Sequence, residues 1–389
     1  MEKPLQGIRV LDLSHAVAGP YAARMMADLG ADVVKLESPR GDSTRLFGEQ
    51  RNGTSGFFAQ YNAGKRNISL DLRTPEAVET ARSLASRADV LIENFRPGVL
   101  ARLGLGYDRL SSEHPGLIML SISGFGRSGD EASRAVYAPI IHAEAGLVAR
   151  QAEHSGGRVT DLTTSVADYT AGLHGAIAVL AALTMRTRTG QGQRVDINLM
   201  DAMLATDDHA HFVLDDAPVT VLGGEVWDAP GGSLMLGSVF RNTWNQLKRT
   251  FDLDDPASPN MNLAEKISVR RTAVGAWILK HGSRDALIAN LEAANIAWAE
   301  IRSVESAFSP QRLSDRGMVG EIADGAGGTR RVIQSPYRFS SADSGVAGPA
   351  VRRGEHNEAV LADWLTLGSD EVEHLVSSGA LSRDPAAYA

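Results

Sequence analysis

The stretch IRVLDLSHAVAGPYAARMMADLGADVVKLE, Ile8 to Glu37, decides the fold class. A β-branched run from Ile8 to Leu13 is followed by a turn, and apolar residues then recur at helical spacing from Tyr21 to Leu29. Ala31 to Glu37 has the composition of a second strand. A strand, turn, helix and strand within about 30 residues are typical of the start of an open parallel α/β sheet.

The same pattern returns further along the chain. We predict a helix from Pro75 to Arg87 and further strands at Asn67–Leu72, Asp89–Glu93, Leu117–Ile122 and Arg194–Leu199. These elements predict a Rossmann-like parallel sheet. The first turn, SHAVAGP, lacks the glycine-rich dinucleotide fingerprint, so a nicotinamide cofactor is poorly supported.

The order of the elements predicts two domains. Residues 1–214 form the first part of a large Rossmann-like domain, and the turn-rich residues 215–232 form a linker. A smaller α+β domain covers residues 233–323. Residues 324–389 return to complete the large domain with two C-terminal helices, the second capped by Ser369.

Composition restricts the partners. The chain has 389 residues, a net charge of −8 and no cysteine. An acidic chain disfavours nucleic acid or an anionic membrane as the main partner, and the lack of cysteine excludes disulfides and thiolate chemistry. We find no signal peptide pattern, and the longest apolar run, Ala171 to Met185, is too short to span a bilayer. We therefore expect a soluble, cytoplasmic protein.

Ligands of such sheets bind at the carboxyl ends of the strands. Four predicted turns at this edge carry arginines, Arg40, Arg73, Arg96 and Arg127, and His15 follows the first strand. Single arginines are common in surface loops, but the set suggests a bound polyanion such as a phosphorylated cofactor. Asp207 to His211 (DDHAH) lacks a metal-ligand spacing, because His209 and His211 face different directions on a helix, so we predict no metal site.

One carboxylate is a candidate for catalysis. Asp168 lies near the start of LTTSVADYTAGLHGAIAVLAALTM, Leu162 to Met185, a helix whose small residues leave room for another surface or a ligand. It can be a nucleophile, a base or a cap. Ser165 as N-cap and Asp168 as third helical residue approximate a capping box, and a helix N-terminus is expected to depress the pKa of this carboxyl.

Several stretches, in order, resemble the class III CoA-transferases, a group that includes formyl-CoA transferases, carnitine-dehydratase-like proteins and α-methylacyl-CoA racemases. The resemblance rests on PLQGIRVLDLSH–AGP (4–20), LGADVVKLE (29–37), NAGKRNISLDL (62–72), ADVLIENFRPGVLARLGLGYDRL (88–110), SISGFG (121–126), TGQGQRVDINLMDAM (189–203) and RGEHN (353–357). It implies two interlocked ring-shaped subunits, each with a large Rossmann-like domain and a small domain. It also implies a coenzyme A thioester as substrate, with no permanently bound cofactor, and a small carboxylic acid as the second substrate.

The resemblance implies roles for individual residues. Asp168 matches the aspartate that attacks the acyl-CoA thioester, which would form an acyl–aspartyl anhydride and then an aspartyl-CoA thioester. The positions that match CoA contacts are Val17, Ala18, Leu70, Leu72, Arg73, Asn94, Phe95, Arg96 and Arg102, and Tyr137 matches a tyrosine near the reacting acyl group.

Two departures bear on the substrate. Ser38 replaces an arginine of formyl-CoA transferases, with Arg40 as a substitute, and Ala138 replaces an acidic residue. Both argue against oxalate and formate. The racemase branch uses a histidine in a GHDINY-type motif, and His142 comes several positions too late. A racemase, or a CoA-binding protein without turnover, is the alternative to a CoA-transferase.

Overall fold

The computed structural model of the chain describes residues 1–51, 53–217, 223–325 and 327–384. Residues 1–208 and the C-terminal residues from Leu313 onward form one compact unit, here called the large unit. Residues 209–312 form the small unit.

The regular elements of the described residues follow the chain order. The strands are β1 (Arg9–Asp12), β2 (Asp32–Glu37), β3 (Gln50–Arg51), β4 (Thr54–Ser55), β5 (Arg66–Ser69), β6 (Val90–Glu93), β7 (Ile118–Ser123), β8 (Arg194–Asn198), β9 (Glu225–Ala229), β10 (Gly232–Leu236), β11 (Trp298–Glu300), β12 (Val319–Ala323) and β13 (Thr329–Ile333). The helices are α1 (Ala18–Asp28), α2 (Gly56–Asn62), α3 (Pro75–Ala85), α4 (Val99–Arg102), α5 (Tyr107–Glu113), α6 (Ala138–Glu144), α7 (Leu147–Ser155), α8 (Val166–Thr189), α9 (Leu199–Ala205), α10 (Ala210–Leu214), α11 (Phe240–Phe251), α12 (Leu263–Leu279), α13 (Arg284–Ala293), α14 (Val304–Ala307), α15 (Pro310–Asp315), α16 (Asn357–Leu365) and α17 (Ser369–Ser377).

The large unit is built on a six-stranded sheet in the order β5-β2-β1-β6-β7-β8. Each strand pairs in parallel with its neighbours. The central strands are buried, and helices cover both faces, as parallel sheets require. The predicted Rossmann-like α/β fold is confirmed.

Small residues let α8 lie directly against α1 and β7. A Cβ atom added to Gly172 would lie 2.8 Å from the carbonyl oxygen of Ala18, and one added to Gly175 would lie 3.0 Å from the side chain of Leu120. The small-residue face predicted for this helix thus accommodates another surface of the protein itself. Close contact with α1 also fixes the first turn of α8 beside the start of α1.

The length of α8 differs from the prediction. The helix continues past the apolar run and has 24 residues. By length and composition alone, it is the one helix in the described ranges that passes the test for a membrane span. Its buried residues, which include Ala171, Val179 and Leu183, belong to the main hydrophobic core, as expected for a core helix.

The C-terminal residues pack on the β5 edge of the sheet. The amide of Ser69 donates to Asn357 Oδ1 (2.9 Å), and the amide of Asp71 donates to the carbonyl of Ala380 (2.8 Å). The cap of α17 is Gly368, whose amide donates to Glu371 Oε2 at 2.8 Å, so the prediction of Ser369 as cap is wrong by one residue.

The small unit has an antiparallel sheet in the order β11-β10-β9, with a core that contains Trp244, Leu247, Trp277 and Ile278. Its limits differ from the predicted ones. β9 lies inside the predicted linker 215–232, because DAPGG is the tight turn of a β9–β10 hairpin in which Gly231 has a φ of 83°. β12, predicted to belong to the small domain 233–323, pairs with β13 in the large unit.

Candidate active site

Asp168 lies in the first turn of α8 and is half-buried. Within the described part of the chain, its carboxylate receives no hydrogen bond. Burial raises the pKa of Asp168 from 3.8 to about 6. The expectation of a depressed pKa is therefore wrong, because loss of water outweighs the helix N-terminus.

The predicted capping box is also absent. Ser165 is the N-cap residue of α8, but its side chain makes no capping hydrogen bond. The buried His142 of α6 caps the helix instead, since the amide of Ala167 donates to its Nε2 atom at 3.2 Å. The Asp168 carboxylate is thus not used for capping.

Asp168 lines a cavity of about 300 Å³ in the large unit. Six other predicted site residues line the same cavity: His15, Ala18, Asn94, Phe95, Arg96 and Tyr137. These six residues come from the turns after β1 and β6 and from the starts of α1 and α6. Parallel strands bring them to one edge of the sheet, as predicted.

A second cavity of about 480 Å³ adjoins the first, because His15 and Phe95 line both. It contains the predicted residues Arg40, Leu70, Leu72 and Arg73. A third, of about 360 Å³, is lined by Leu72, Arg73 and Arg102. Val17 is not among the lining residues of these three cavities and lies buried at the N-cap of α1.

Two turns form the boundary between the first two cavities. The amide of His15 donates to Asn94 Oδ1 (2.9 Å), and Asn94 Nδ2 donates to the carbonyl of His15 (2.7 Å). Phe95 is fixed by an amide hydrogen bond to Glu93 Oε2 (2.9 Å), and its ring lies 5.7 Å from the His15 ring. The turns after β1 and β6 are therefore held to each other.

The four arginines of the predicted ligand edge have different positions. Arg40 and Arg73 line the second cavity, and Arg96 lines the first. Arg127 is paired with Glu93 (3.2 Å) and Asp196 (3.5 Å), so it stabilises the edge of the sheet and is not available to a ligand. Arg73 is also paired, with Asp71 at 2.6 Å, although its side chain is 80% exposed. Charge pairing, which the sequence pattern does not reveal, therefore involves two of the four.

A buried ionic network under the second cavity was missed by the sequence reasoning. Lys35 donates to the carbonyl of Ser14 (2.7 Å) and pairs with Asp42 (3.2 Å). Lys65 donates to Asp12 Oδ2 (2.9 Å), whose Oδ1 atom accepts from the amide of Ser14 (3.0 Å). The only signal in the sequence was the presence of charged residues inside otherwise apolar strands. The network fixes the turn that begins at Ser14.

Three tyrosines lie beside Asp168 and were also missed. The hydroxyl groups of Tyr61 and Tyr169 are 2.7 Å apart, and the rings of Tyr21 and Tyr169 are 5.5 Å apart. Burial raises the pKa of Tyr61, and the nearby charges, including that of Asp168, raise it further. The Tyr61 hydroxyl group therefore stays protonated.

The fold and the site define an α/β protein with a half-buried carboxylate in a cavity at the carboxyl edge of its sheet. The family model of CoA-transferase family III matches residues 5–357, and the chain belongs to this family. It is therefore an enzyme that uses CoA thioester substrates.

Named relatives extend the comparison. The chain is 33% identical to a succinate–glutarate CoA-transferase of Agrobacterium fabrum, over 94% of this chain and 96% of the relative. It is 31% identical to a formyl-CoA:oxalate CoA-transferase of Streptomyces avermitilis, over 98% of this chain and 100% of the relative. The crystal structure of a CAIB/BAIF family protein from Brucella suis is 29% identical, has a TM-score of 0.78 and covers 94% of this chain and 100% of its own.

Proposed function

We propose that Asp168 is the nucleophile of a CoA transfer from an acyl-CoA thioester to a small carboxylic acid. The observation that supports this role most directly is a half-buried carboxylate that lines a cavity and receives no hydrogen bond from the described residues. With a pKa of about 6, it is about nine-tenths ionised at pH 7. A partly desolvated, more basic carboxylate is a stronger nucleophile than an exposed one.

The proposed reaction has two matching halves. Asp168 attacks the thioester carbonyl, CoA thiolate leaves, and an acyl–aspartyl anhydride forms. The thiolate then attacks the aspartyl carbonyl and releases the donor acid, which leaves an aspartyl-CoA thioester. The acceptor carboxylate repeats the sequence in reverse and leaves as its CoA thioester. Each step preserves the activation of the thioester.

The adjoining cavities support the proposed binding of CoA. Arg40 in the second cavity and Arg102 in the third offer cations for the phosphates of CoA. Arg73, which lines both cavities, is already paired with Asp71 at 2.6 Å. The apolar side chains of Leu70 and Leu72 offer a surface for its adenine. His15 and Phe95, which line both of the first two cavities, lie where the pantetheine arm would pass toward Asp168.

We also propose that the acids are short dicarboxylates. Arg96 lines the cavity of Asp168, and no ion partner of its guanidinium lies within the described residues. It is therefore a candidate partner for a second carboxylate, whereas Arg134 in the same cavity is already paired with Glu131 and Glu144. Relatives named for succinate and glutarate agree with this class. Position 138 is an alanine, so it supplies no acidic group of its own near this cavity.

The racemase alternative requires a histidine that exchanges a proton with the substrate. His142 lies near Asp168, but it is buried and both of its ring nitrogens are engaged, Nδ1 with Asp161 (3.1 Å) and Nε2 with the amide of Ala167 (3.2 Å). These contacts favour transfer over racemisation. A CoA-binding protein without turnover would show no covalent adduct.

The proposed assembly is an interlocked homodimer. One exposed face of α8 carries Leu173, Ile177 and Met185, with exposures of 41%, 63% and 46%. Three apolar side chains at helical spacing on an open face support contact with a second subunit. The predicted cytoplasmic location stays a prediction.

Trapping the intermediate tests the proposal. The protein is incubated with succinyl-CoA without acceptor, treated with hydroxylamine or borohydride, digested and mapped by mass spectrometry. We expect modification at Asp168 in the wild type and none in Asp168→Asn. Turnover of an acceptor acid by unmodified protein would overturn the mechanism. Exchange of the α-proton with solvent in the absence of acceptor would instead support a racemase.

A further inference from the structure

The ring of His142 is held in one orientation and one tautomer. Its side chain is buried, with 1% exposed, between Asp161 and the start of α8. A backbone amide can only donate, so the Nε2 atom that accepts from Ala167 at 3.2 Å carries no proton. The proton therefore lies on Nδ1, which donates to Asp161 Oδ1 at 3.1 Å.

This arrangement supplies a cap that α8 lacks on its own. The first amides of a helix have no partner within it, and Ser165 provides none from its side chain. The Ala167 amide is fully buried and immediately precedes Asp168. Its hydrogen bond to His142 therefore fixes the backbone that carries the proposed nucleophile, and it comes from a different helix, α6.

We infer that His142 is a positioning residue, which holds the first turn of α8 so that Asp168 faces the thioester, and that Asp161 maintains the required tautomer of its ring. The inference rests on the proposed function, because it concerns the geometry of the same nucleophile. His142 does not touch the substrate in this role. Without the Asp161 acceptor, the ring can place a proton on Nε2, where it would oppose the amide of Ala167.

If His142 only positions Asp168, its loss should slow the chemical step without weakening the binding of the substrate. A nucleophile displaced by about 1 Å loses on the order of 100-fold in rate, whereas the CoA contacts lie on other elements and are unchanged. A purely structural role would lower the amount of folded protein without changing the rate per folded molecule.

The experiment compares His142→Leu with His142→Gln in the full-length protein. The rate of adduct formation at Asp168 is measured in a single turnover with succinyl-CoA, together with the KM for succinyl-CoA and the folded fraction by circular dichroism. We expect His142→Leu to slow adduct formation by about 10- to 100-fold with a KM within about threefold of the wild type. His142→Gln should recover most of the rate, because its amide can accept from Ala167 and donate to Asp161.

A second pair of variants leaves the buried ring intact. Asp161→Ala removes the acceptor for Nδ1, while Asp161→Asn keeps an oxygen there, so the alanine variant should lose several times more rate than the asparagine variant. This pair decides the matter if His142→Leu does not fold.

The outcomes separate the two proposals. The positioning role would be overturned if folded His142→Leu forms the adduct at the wild-type rate, or if folded His142→Gln recovers none of the lost rate. It would also be overturned if the variants change only KM, or if the two Asp161 variants react at equal rates. A wild-type protein that reacts with succinyl-CoA and carries no adduct at Asp168 would overturn the proposed function itself.

Discussion

Replacing Asp168 with asparagine should stabilise the fold while it abolishes transfer. Folding raises the pKa of this carboxyl from 3.8 to about 6, so the folded state disfavours the charged form. The resulting cost is present in full above pH 6 and disappears as the pH falls below 3.8, where the group is protonated in both states. Asparagine is neutral at every pH and does not incur this cost.

The magnitude follows from the shift. About two pKa units correspond to about 3 kcal/mol of unfolding free energy, which is an upper value because the side chain is only half-buried. In a chain of this size such a gain raises Tm by about 4 °C. Wild type and Asp168→Asn are therefore compared by calorimetry from pH 4 to pH 8. We expect the variant to melt higher at pH 8 and the difference to close near pH 4.

A matched control is available in the same unit. Asp130→Asn neutralises an exposed aspartate and should leave the difference in Tm independent of pH. The fold should persist at pH 4, because ion pairing and hydrogen bonding keep the pKa values of the buried Asp12, Glu37 and Asp42 low. An Asp168→Asn protein that is no more stable than wild type at pH 8, or whose advantage does not shrink on acidification, would refute the reasoning.

Three further predictions concern rate, specificity and packing. Because the nucleophile must be ionised, kcat/KM for succinyl-CoA should fall about tenfold per pH unit below a midpoint near 6; a profile flat down to pH 4.5 would contradict the raised pKa of Asp168. Arg96→Gln should raise the KM for a dicarboxylate acceptor about tenfold and leave that for a monocarboxylate of equal length unchanged; equal effects on both acids would exclude the assigned contact. Gly172→Ala, whose Cβ would lie 2.8 Å from a backbone oxygen, should lower the unfolding free energy by about 1–3 kcal/mol in denaturant titration, while Gly56→Ala, with no atom within 4 Å of its added Cβ and no positive φ, should show no clash; equal effects would contradict the close α1–α8 packing.

The sequence predicted those features of the fold that follow from local residue patterns and from the topology of a parallel sheet. The strands and helices of Ile8 to Glu37 follow from apolar spacing, and the parallel sheet follows from their alternation. Because parallel strands end at one edge, residues far apart in the chain, such as His15 and Asn94, could be placed together before any coordinates. The role of Asp168 depended on the family resemblance, since local spacing could not distinguish a nucleophile from a cap.

Features that depend on tertiary contacts were not predictable. The depressed pKa expected for Asp168 assumed an accessible helix start, whereas packing removes water from it. His142 was dismissed as a racemase residue by its position, and its capping of Ala167 requires the docking of α6 on α8. Similarly, nothing in the turn sequence shows that Arg127 is neutralised by Glu93.

The central claim is that Asp168 carries the transferred group, and isotope transfer tests it most directly. The acceptor acid is labelled with ¹⁸O in its carboxylates and supplied with succinyl-CoA for one turnover, and the peptide that contains Asp168 is analysed by mass spectrometry. Passage through the second anhydride leaves one oxygen of the acceptor on the aspartate, so we predict one ¹⁸O atom in the Asp168 carboxylate. Complete turnover with an unlabelled Asp168 would contradict the account.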